Sequence, residues 1–302
     1  MGTHAADLAL DIGCTLGEGP TWWRGALWFV DIEAGVLHRF DPARREHHAH
    51  ELGGRVGFAV PTERETWIVG RDASIAAWRE GDATVETLHQ VEDEDRCTRF
   101  NDGKCDPHGR LYAGTMHLKA EAGRGSLYRV QADGQADEVV ANTTISNGLA
   151  WDESRGAMYF IDTAGGTIDR FDWDAETGSI SGRTPIATPE GGGPDGMCID
   201  REGYLWVAMW GGSRVARFNP ATGAEVDSIA VPCPNPTSCC FGGEAFDELW
   251  ITTARYGMSA DHFARCPAAG GVFVARPGVH GHPPTPMRAG TSETAVGGRD
   301  AD

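Results

Sequence analysis

The stretch ALWFVDIEAGVLHRFDP, residues 26–42, carries the aromatic and apolar residues that are typical of β-strands. Related stretches recur along the whole chain and begin at Glu65, Arg110, Ala157, Tyr204 and Glu248. One aromatic residue from each stretch serves as an anchor, which gives the series Trp28, Trp67, Tyr112, Tyr159, Trp206 and Trp250. Successive anchors are 39, 45, 47, 47 and 44 residues apart. The chain is therefore built from six repeats of similar length.

Repeats of this length are typical of the blades of a β-propeller, each made of four antiparallel strands. Within one repeat, TIDRFDWDAETGSISGRTPIA at residues 167–187 alternates polar and apolar residues around a glycine-containing turn. That pattern predicts a hairpin with one buried face. No helical periodicity of useful length competes with it. The sequence predicts an all-β protein, a six-bladed β-propeller with four antiparallel strands per blade.

The repeats predict a single propeller domain over residues 1–280. The segment ADLALDIGC, residues 6–14, has strand character and precedes the first anchor, so we expect it to close the ring by pairing within the last blade. Residues 281–302 are rich in Pro, Gly and Thr and contain almost nothing to bury. We therefore expect a flexible C-terminal tail.

Acidic side chains dominate the charge of the 302-residue chain, with 44 Asp and Glu against 26 Lys and Arg and a formal net charge of −18. A field of this sign repels nucleic acids and anionic membrane surfaces, so we expect neither as a partner. No stretch approaches the roughly 20 apolar residues of a membrane helix, and the N-terminus lacks a basic segment followed by an apolar run. We expect a cytoplasmic protein, a monomer or weak dimer, whose partner is a small molecule.

Four side chains with an oxygen donor occupy one phase of the repeat, 10–12 residues before an anchor: Glu18, Asn101, Asn147 and Asp195. The innermost strand of each blade lines the channel of a propeller, so these side chains should face the axis. The equivalent positions in the other two blades, near Gly57 and Cys239, are small. Because buried carboxylates and amides need a partner, the pattern predicts one divalent cation. Oxygen ligands suit Ca²⁺, Mg²⁺ or Mn²⁺, and carboxylates also accept Zn²⁺ or Fe²⁺.

Two other groups of potential metal ligands favour no site. His47, His48 and His50 follow a proline in a charged segment, for which we expect a solvated loop rather than a zinc site. The adjacent Cys239 and Cys240 have no recognisable histidine partner, so we expect inert structural thiols.

Several motifs together resemble those of one known family. They are LGEGP at residues 16–20, RFNDGKCDPHGRLYAGTM at 99–116, SNGLAWD at 146–152, PDGMCIDREGYLWVAMWGG at 194–212, TSCCFGG at 237–243, TTARYGM at 252–258 and AAGGVF at 268–273. Over roughly residues 8–278, the chain resembles the gluconolactonase and regucalcin family, also called senescence marker proteins. The resemblance implies a six-bladed propeller with one divalent cation held by Glu18, Asn147 and Asp195.

The resemblance also implies roles for residues around the cation. Arg99 and Asn101 would bind the sugar, and Asp195 would double as the proton-transfer group. In the loop after GTM, some animal members carry a glutamate that touches the sugar. The aligned residue in this chain is Lys119, which joins the substrate-binding candidates, with Glu121 nearby as a weaker substitute. For Arg99, an ion pair with the acidic residues 92–95 is the structural alternative.

From these residues and the resemblance we expect a metal-dependent sugar lactonase that hydrolyses a glucono-, xylono-, arabino- or galactonolactone to the aldonic acid. Asp195 would accept a proton from the attacking water, or would orient a water already activated by the cation. The alternative is a calcium-binding regulatory protein of the regucalcin type without turnover, since the same oxygen cage would serve storage or signalling. A third possibility is a hydrolase for aryl esters or organophosphates. Arg99 and Asn101 argue against it, because apolar leaving groups do not need their hydrogen-bond donors.

Overall fold

Six antiparallel sheets arranged in a ring make up residues 4–288, the part of the chain that the computed structural model describes. The six-bladed β-propeller predicted from the anchor spacing is confirmed. In each blade, the strand that directly follows the preceding blade in the sequence lies innermost. These innermost strands contact one another around the central axis. Side chains at the start of the innermost strands are therefore brought close together although they are far apart in sequence.

The strands of each blade follow one another from the innermost outward. Blade 1 comprises Gly17–Trp23, Ala26–Asp31, Val36–Asp41 and Glu46–Glu51; blade 2 comprises Val56–Pro61, Trp67–Arg71, Ser74–Trp78 and Glu86–Gln90; blade 3 comprises Thr98–Cys105, Leu111–His117, Gly125–Val130 and Ala136–Thr143. Blade 4 comprises Ser146–Asp152, Ala157–Asp162, Thr167–Trp173 and Ile180–Ala187; blade 5 comprises Gly193–Ile199, Leu205–Trp210, Arg214–Phe218, Glu225–Ala230 and an added edge strand, His4–Ala5; blade 6 comprises Pro236–Gly242, Glu248–Thr253, Val272–Ala275 and Asp7–Leu10.

All six anchor residues are buried in the second strand of their blades. Their rings pack against the neighbouring blade: Trp28 lies 4.5 Å from Trp67, and Trp250 of blade 6 stacks 5.5 Å from Trp22 of blade 1, measured between ring centroids. The buried apolar side chains form six clusters, each between two adjacent blades. The hydrophobic core thus lies between the blades, where burial of large aromatic surfaces holds the ring together.

The N-terminal segment closes the ring, as the sequence predicts. Asp7–Leu10 forms the outermost strand of blade 6 and pairs antiparallel with Val272–Ala275. Just before it, His4–Ala5 pairs parallel with the outermost strand of blade 5. The first described residues therefore join the last two blades.

The C-terminal segment 281–288 crosses the face of the ring at which the innermost strands end. The backbone N–H of Gly281 donates to Phe246 O at 2.8 Å, and that of Met287 donates to Pro61 O at 2.8 Å. Met287 is buried among side chains of blades 2 and 3. The tail expected to be flexible from residue 281 is thus hydrogen-bonded to the ring through residue 288. The remainder of that prediction, residues 289–302, lies outside the described residues.

Helical structure within residues 4–288 is limited to short segments. They are the 3₁₀ turns Glu94–Arg96, Glu153–Arg155 and Thr163–Gly165 and the α-helix Ala260–Arg265. None of these helices has the length and apolar character needed to cross a membrane.

The histidine-rich segment is an edge strand and not the expected solvated loop. His47, His48 and His50 lie on Glu46–Glu51, the outermost strand of blade 1, in which every residue except the half-buried His50 is exposed. His47 Nε2 lies 3.1 Å from His38 Nδ1, and His38 Nε2 lies 3.8 Å from the Sγ of Cys14. Burial, and then the neighbouring His47, lower the pKa of His38 from 6.5 to about 4. The strand was missed because EHHAHE has no alternation of apolar and polar residues that would indicate a β-strand.

Because the folded protein buries His38 in its neutral form, we predict that stability is lost as the pH falls from about 6.5 towards 4. The unfolded chain takes up this proton near pH 6.5, whereas the folded chain takes it up only near pH 4, so acid favours unfolding by up to a few kcal/mol at this site. Urea unfolding between pH 4.5 and 7.5 should give a shallower loss for His38→Gln than for the wild type. The exposed His262 provides a control, His262→Gln. Parallel curves for the wild type and His38→Gln would contradict the assignment.

Candidate active site

Each innermost strand has an irregularity of register near its start, at the same place in all six blades. The shifts fall between Glu18 and Thr21, Val56 and Phe58, Phe100 and Asp102, Ser146 and Leu149, Pro194 and Met197, and Pro236 and Ser238. A β-bulge inserts an unpaired residue and redirects side chains locally. Glu18, Asn101, Asn147 and Asp195 lie at or beside these bulges, so the common phase inferred from the sequence corresponds to a common structural position.

Blades 2 and 6 differ from the other four at the bulge. In blade 2 the position is Gly57, where an added Cβ would lie 2.3 Å from Phe100 O, so only glycine fits the close approach of blade 3. In blade 6 the position is Thr237 and not Cys239 as predicted. The anchor Trp250 pairs with Cys240, ten residues earlier, whereas the anchor Tyr112 of blade 3 pairs with Lys104, eight residues earlier. The bulge of blade 6 therefore lies two residues further from its anchor than the spacing in the other blades predicts.

Asn147 and Asp195 are buried and carry oxygens without a hydrogen-bond partner. The Asn147 Nδ2 donates to Thr163 Oγ1 at 2.9 Å, which leaves its Oδ1 free. That oxygen and Asp195 Oδ1 are inaccessible to solvent and accept no hydrogen bond from the described residues. Buried acceptors of this kind are unfavourable unless a ligand completes them. The two orphan oxygens therefore indicate a binding site for a cation or a hydrogen-bond donor.

Three carboxyl groups share this buried region. Burial raises the pKa of Glu18 well above its usual range, and the neighbouring Asp195 and Asp102 raise it further. Burial and then Asp102 likewise raise the pKa of Asp195. Burial also raises the pKa of Asp102. Two groups oppose the raised pKa of Glu18: the N–H of Gly19, which donates to Glu18 Oε2 at 3.0 Å, and the charge of Arg99. A cation bound among these groups would stabilise all three charged forms.

Any metal at this position would depend on an amide ligand. Among residues 4–288, no three His, Cys, Asp or Glu side chains come together in a way that could hold a metal ion. Glu18 and Asp195 supply two carboxylates, and Asn147 supplies the free amide oxygen. This set of oxygen donors is chemically suitable for a hard divalent cation.

Arg99 and Asn101 are buried beside this group and bonded to each other. Arg99 Nη1 donates to Asn101 Oδ1 at 2.7 Å and to Phe100 O at 2.9 Å, and Asn101 Nδ2 donates to Ser146 O at 2.8 Å. Burial lowers the pKa of Arg99, whereas the nearby Glu33 and Glu18 raise it. Arg99 therefore places a largely desolvated cation next to Glu18.

The acidic segment that could have paired with Arg99 is bonded elsewhere. Glu92 is buried and accepts from Thr115 Oγ1 at 2.9 Å and Tyr128 OH at 2.7 Å, and it lies 3.6 Å from Arg96 Nη1. The structure therefore does not show the alternative role of Arg99, an ion pair with the acidic residues 92–95.

Lys119 lies apart from the buried group, in the exposed turn that follows Leu111–His117. Its backbone N–H donates to His117 Nδ1 at 3.3 Å. Glu121 is also exposed and lies 3.9 Å from His117 Nε2 and 3.4 Å from Arg124 Nη1. The structure brings Glu18, Asn147, Asp195, Arg99 and Asn101 together and leaves Lys119 on the rim.

Two residues of the site were missed from the sequence. Asp102 neighbours Asn101, and strict strand alternation would direct the two side chains to opposite faces; the bulge between Phe100 and Asp102 removes that alternation. Thr163 is 16 residues from Asn147, whose side chain it contacts, and no motif marks it. Only the Asp-Gly pair within FNDG, which is a common turn dipeptide, could have drawn attention to Asp102.

Comparison with known proteins places the chain in a family. The family described as SMP-30/Gluconolactonase/LRE-like region matches residues 16–255. A Bacillus subtilis (strain 168) protein named "Putative sugar lactone lactonase YvrE" is 37% identical over 286 residues, which cover 93% of this chain and 98% of that protein. Regucalcin of Oryctolagus cuniculus is 36% identical over 294 residues, with 94% and 98% covered.

Solved structures agree with this placement. A luciferin-regenerating enzyme superposes with a TM-score of 0.86 at 32% identity, covering 94% of this chain and 100% of that one. A calcium-binding protein, regucalcin from Agrobacterium tumefaciens, superposes with a TM-score of 0.88 at 28% identity, covering 95% and 99%. The resemblance inferred from the motifs is confirmed: the chain belongs to the SMP-30/gluconolactonase/LRE-like family.

Proposed function

We propose that this protein is a metal-dependent lactonase that hydrolyses a sugar lactone, such as a glucono-, xylono-, arabino- or galactonolactone, to the aldonic acid. The carrying observation is the pair of buried, unpartnered oxygens, Asn147 Oδ1 and Asp195 Oδ1, in a region that also contains the carboxyl group of Glu18. The relative named "Putative sugar lactone lactonase YvrE" supports the choice of substrate class.

Glu18, Asn147 and Asp195 would hold one divalent cation. Their oxygen donors favour Ca²⁺, Mg²⁺ or Mn²⁺, and Zn²⁺ and Fe²⁺ are further candidates. The solved regucalcin described as calcium-binding supports Ca²⁺ among these. When bound, the cation would polarise the lactone carbonyl and stabilise the negative charge that develops on its oxygen.

The protein's own residues would perform the proton transfers and hold the sugar. Asp195 would take a proton from water as the water oxygen bonds to the carbonyl carbon, and would return it to the ring oxygen as the C–O bond of the ring breaks. Arg99 and Asn101 offer donors to sugar hydroxyls, and their mutual hydrogen bond fixes both side chains beforehand. Burial of Arg99 strengthens any hydrogen bond it makes to the substrate, because water competes less.

A calcium-binding protein without turnover is the second candidate function, favoured by the relatives named regucalcin. The oxygen donors would serve both functions equally well. A cation store, however, does not need a buried arginine and a bonded asparagine next to its ligands. Those two residues are the physical reason to prefer the enzyme.

The enzyme requires turnover that depends on a divalent cation. Metal-stripped protein should release no protons from the four lactones, and addition of Ca²⁺, Mn²⁺, Zn²⁺, Mg²⁺ or Fe²⁺ should restore release with at least one of them, as followed with a pH indicator in weak buffer. Spontaneous lactone hydrolysis with each metal alone is the control. Cation binding by calorimetry without turnover of any lactone would favour the regucalcin-type alternative.

Loss of the proposed proton acceptor should abolish catalysis. Asp195→Asn keeps the shape of the side chain but removes its charge, and we expect kcat to fall at least about a hundredfold. Asp227→Asn, on the fourth strand of the same blade, Glu225–Ala230, is the matched control and should keep full activity. Activity of Asp195→Asn close to that of the wild type, at saturating metal, would exclude the assigned role.

Removal of the other carboxylate should act on metal affinity. Glu18→Gln takes away one anionic ligand, so the Kd for the activating cation should rise about tenfold or more, because cation affinity follows the number of charged ligands. Isothermal titration calorimetry measures the Kd directly. Glu51→Gln, on the exposed edge strand of blade 1, should leave the Kd unchanged, and an unchanged Kd for Glu18→Gln would remove Glu18 from the ligand set.

A further inference from the structure

The hydroxyl group of Thr163 lies between the innermost strands of blades 4 and 5. Thr163 is the first residue of the 3₁₀ turn that follows the second strand of blade 4. Its Oγ1 accepts from Asn147 Nδ2 at 2.9 Å and donates to Pro194 O at 2.8 Å. One side chain thus contacts the amide of one proposed ligand and the peptide group directly before another, Asp195.

The hydrogen-bonding capacity of a hydroxyl decides which way the Asn147 amide points. A hydroxyl has a single proton, and the Pro194 carbonyl can only accept, so the proton of Thr163 is used there. The remaining lone pairs of Thr163 can only accept, and Asn147 must therefore present its NH₂ group. Its Oδ1 is then turned away from Thr163, where it is buried and unpartnered. With the amide reversed, Asn147 Oδ1 and Thr163 Oγ1 would face each other without a proton between them.

Thr163 itself is held in this orientation. Its backbone N–H donates to Ile145 O at 3.1 Å, just before the innermost strand of blade 4. Its methyl group lies close to Gly193, where an added Cβ would be 3.4 Å from Thr163 Cγ2. Because the methyl group faces blade 5 and the backbone is fixed, the hydroxyl has little freedom to rotate away.

We propose that Thr163 is the positioning residue of the metal site: its hydroxyl selects the amide orientation in which Asn147 presents an oxygen, and tethers the peptide of Asp195. This inference rests on the proposed function, because it assumes that Asn147 and Asp195 bind a cation. Groups that orient metal ligands from outside the coordination sphere typically account for about 10–100-fold in affinity.

The decisive measurement is the Kd of metal-stripped protein for Ca²⁺ alone and for Mn²⁺ alone, by isothermal titration calorimetry. Thr163→Val keeps the shape and removes the hydroxyl, and we expect the Kd to rise about 10–100-fold. Thr163→Ala should show the same rise, which separates loss of the hydroxyl from a steric effect of valine. Thr163→Ser should restore a Kd within a few-fold of the wild type, since it keeps the hydroxyl.

Thr167→Val is the matched control. Thr167 lies on the same blade and donates to Asp169 Oδ1 at 2.8 Å, so the variant also loses a side-chain hydrogen bond, but one remote from the proposed ligands. Its Kd should equal that of the wild type. A Kd for folded Thr163→Val and Thr163→Ala within twofold of the wild type would overturn the role of Thr163 alone. Absence of Ca²⁺ and Mn²⁺ binding by the wild type would overturn the metal site and this role together.

Discussion

The shared burial of the carboxyl groups of Glu18, Asp102 and Asp195 is the constraint that the ring has to satisfy, because burial disfavours the charged form of each group. Like charges in a region of low dielectric separate unless the backbone holds them or an opposite charge joins them. The aromatic contacts between blades supply the first restraint, because the innermost strands cannot part without exposing those rings. Lys104 adds to it by donating from its ammonium group to Leu149 O of blade 4 and Met197 O of blade 5.

The same geometry explains why membership of the family is compatible with more than one function. Relatives carry names that refer to lactone hydrolysis and to calcium binding, and both require a cluster of oxygen donors. A propeller provides that cluster wherever bulged innermost strands meet, whatever chemistry follows. Function then depends on what surrounds the donors, in this protein the buried pair Arg99 and Asn101.

The fold could be predicted from the sequence because the anchors are local signals that repeat. Five of the six aromatic residues pack between their own blade and the next, and Trp67 packs back against blade 1, so one anchor per blade still reports the blade count. The position of the oxygen-bearing side chains within the repeat, counted back from the anchor, was predictable for the same reason in four blades. The prediction of this position failed in blade 6, where a hairpin two residues longer places Thr237, and not Cys239, at the bulge. Hairpin length cannot be read from the spacing of aromatic residues.

The remaining errors have a common physical origin in contacts between distant segments. Thr163 is hydrogen-bonded to the side chain of Asn147 on one strand and to the backbone carbonyl of Pro194 on another, and its place beside them depends on how the blades pack. The segment 281–288 has the composition of a loop, yet backbone hydrogen bonds bind it to the ring whatever its side chains are. His47 was expected to lie in a loop because its contact with His38, on the preceding strand, is not visible in the sequence.

Closure by the N-terminal segment also affects the order in which the chain can fold during synthesis. Asp7–Leu10 is synthesised before its partner strand, Val272–Ala275, which is made roughly 260 residues later. At about 5–20 residues per second, that strand waits for tens of seconds without a partner. Blades 1 to 5 can form from neighbouring segments in the meantime, whereas the last blade depends on the most distant contact in the ring. Closure of the ring around the axis is therefore completed only when these two distant segments meet.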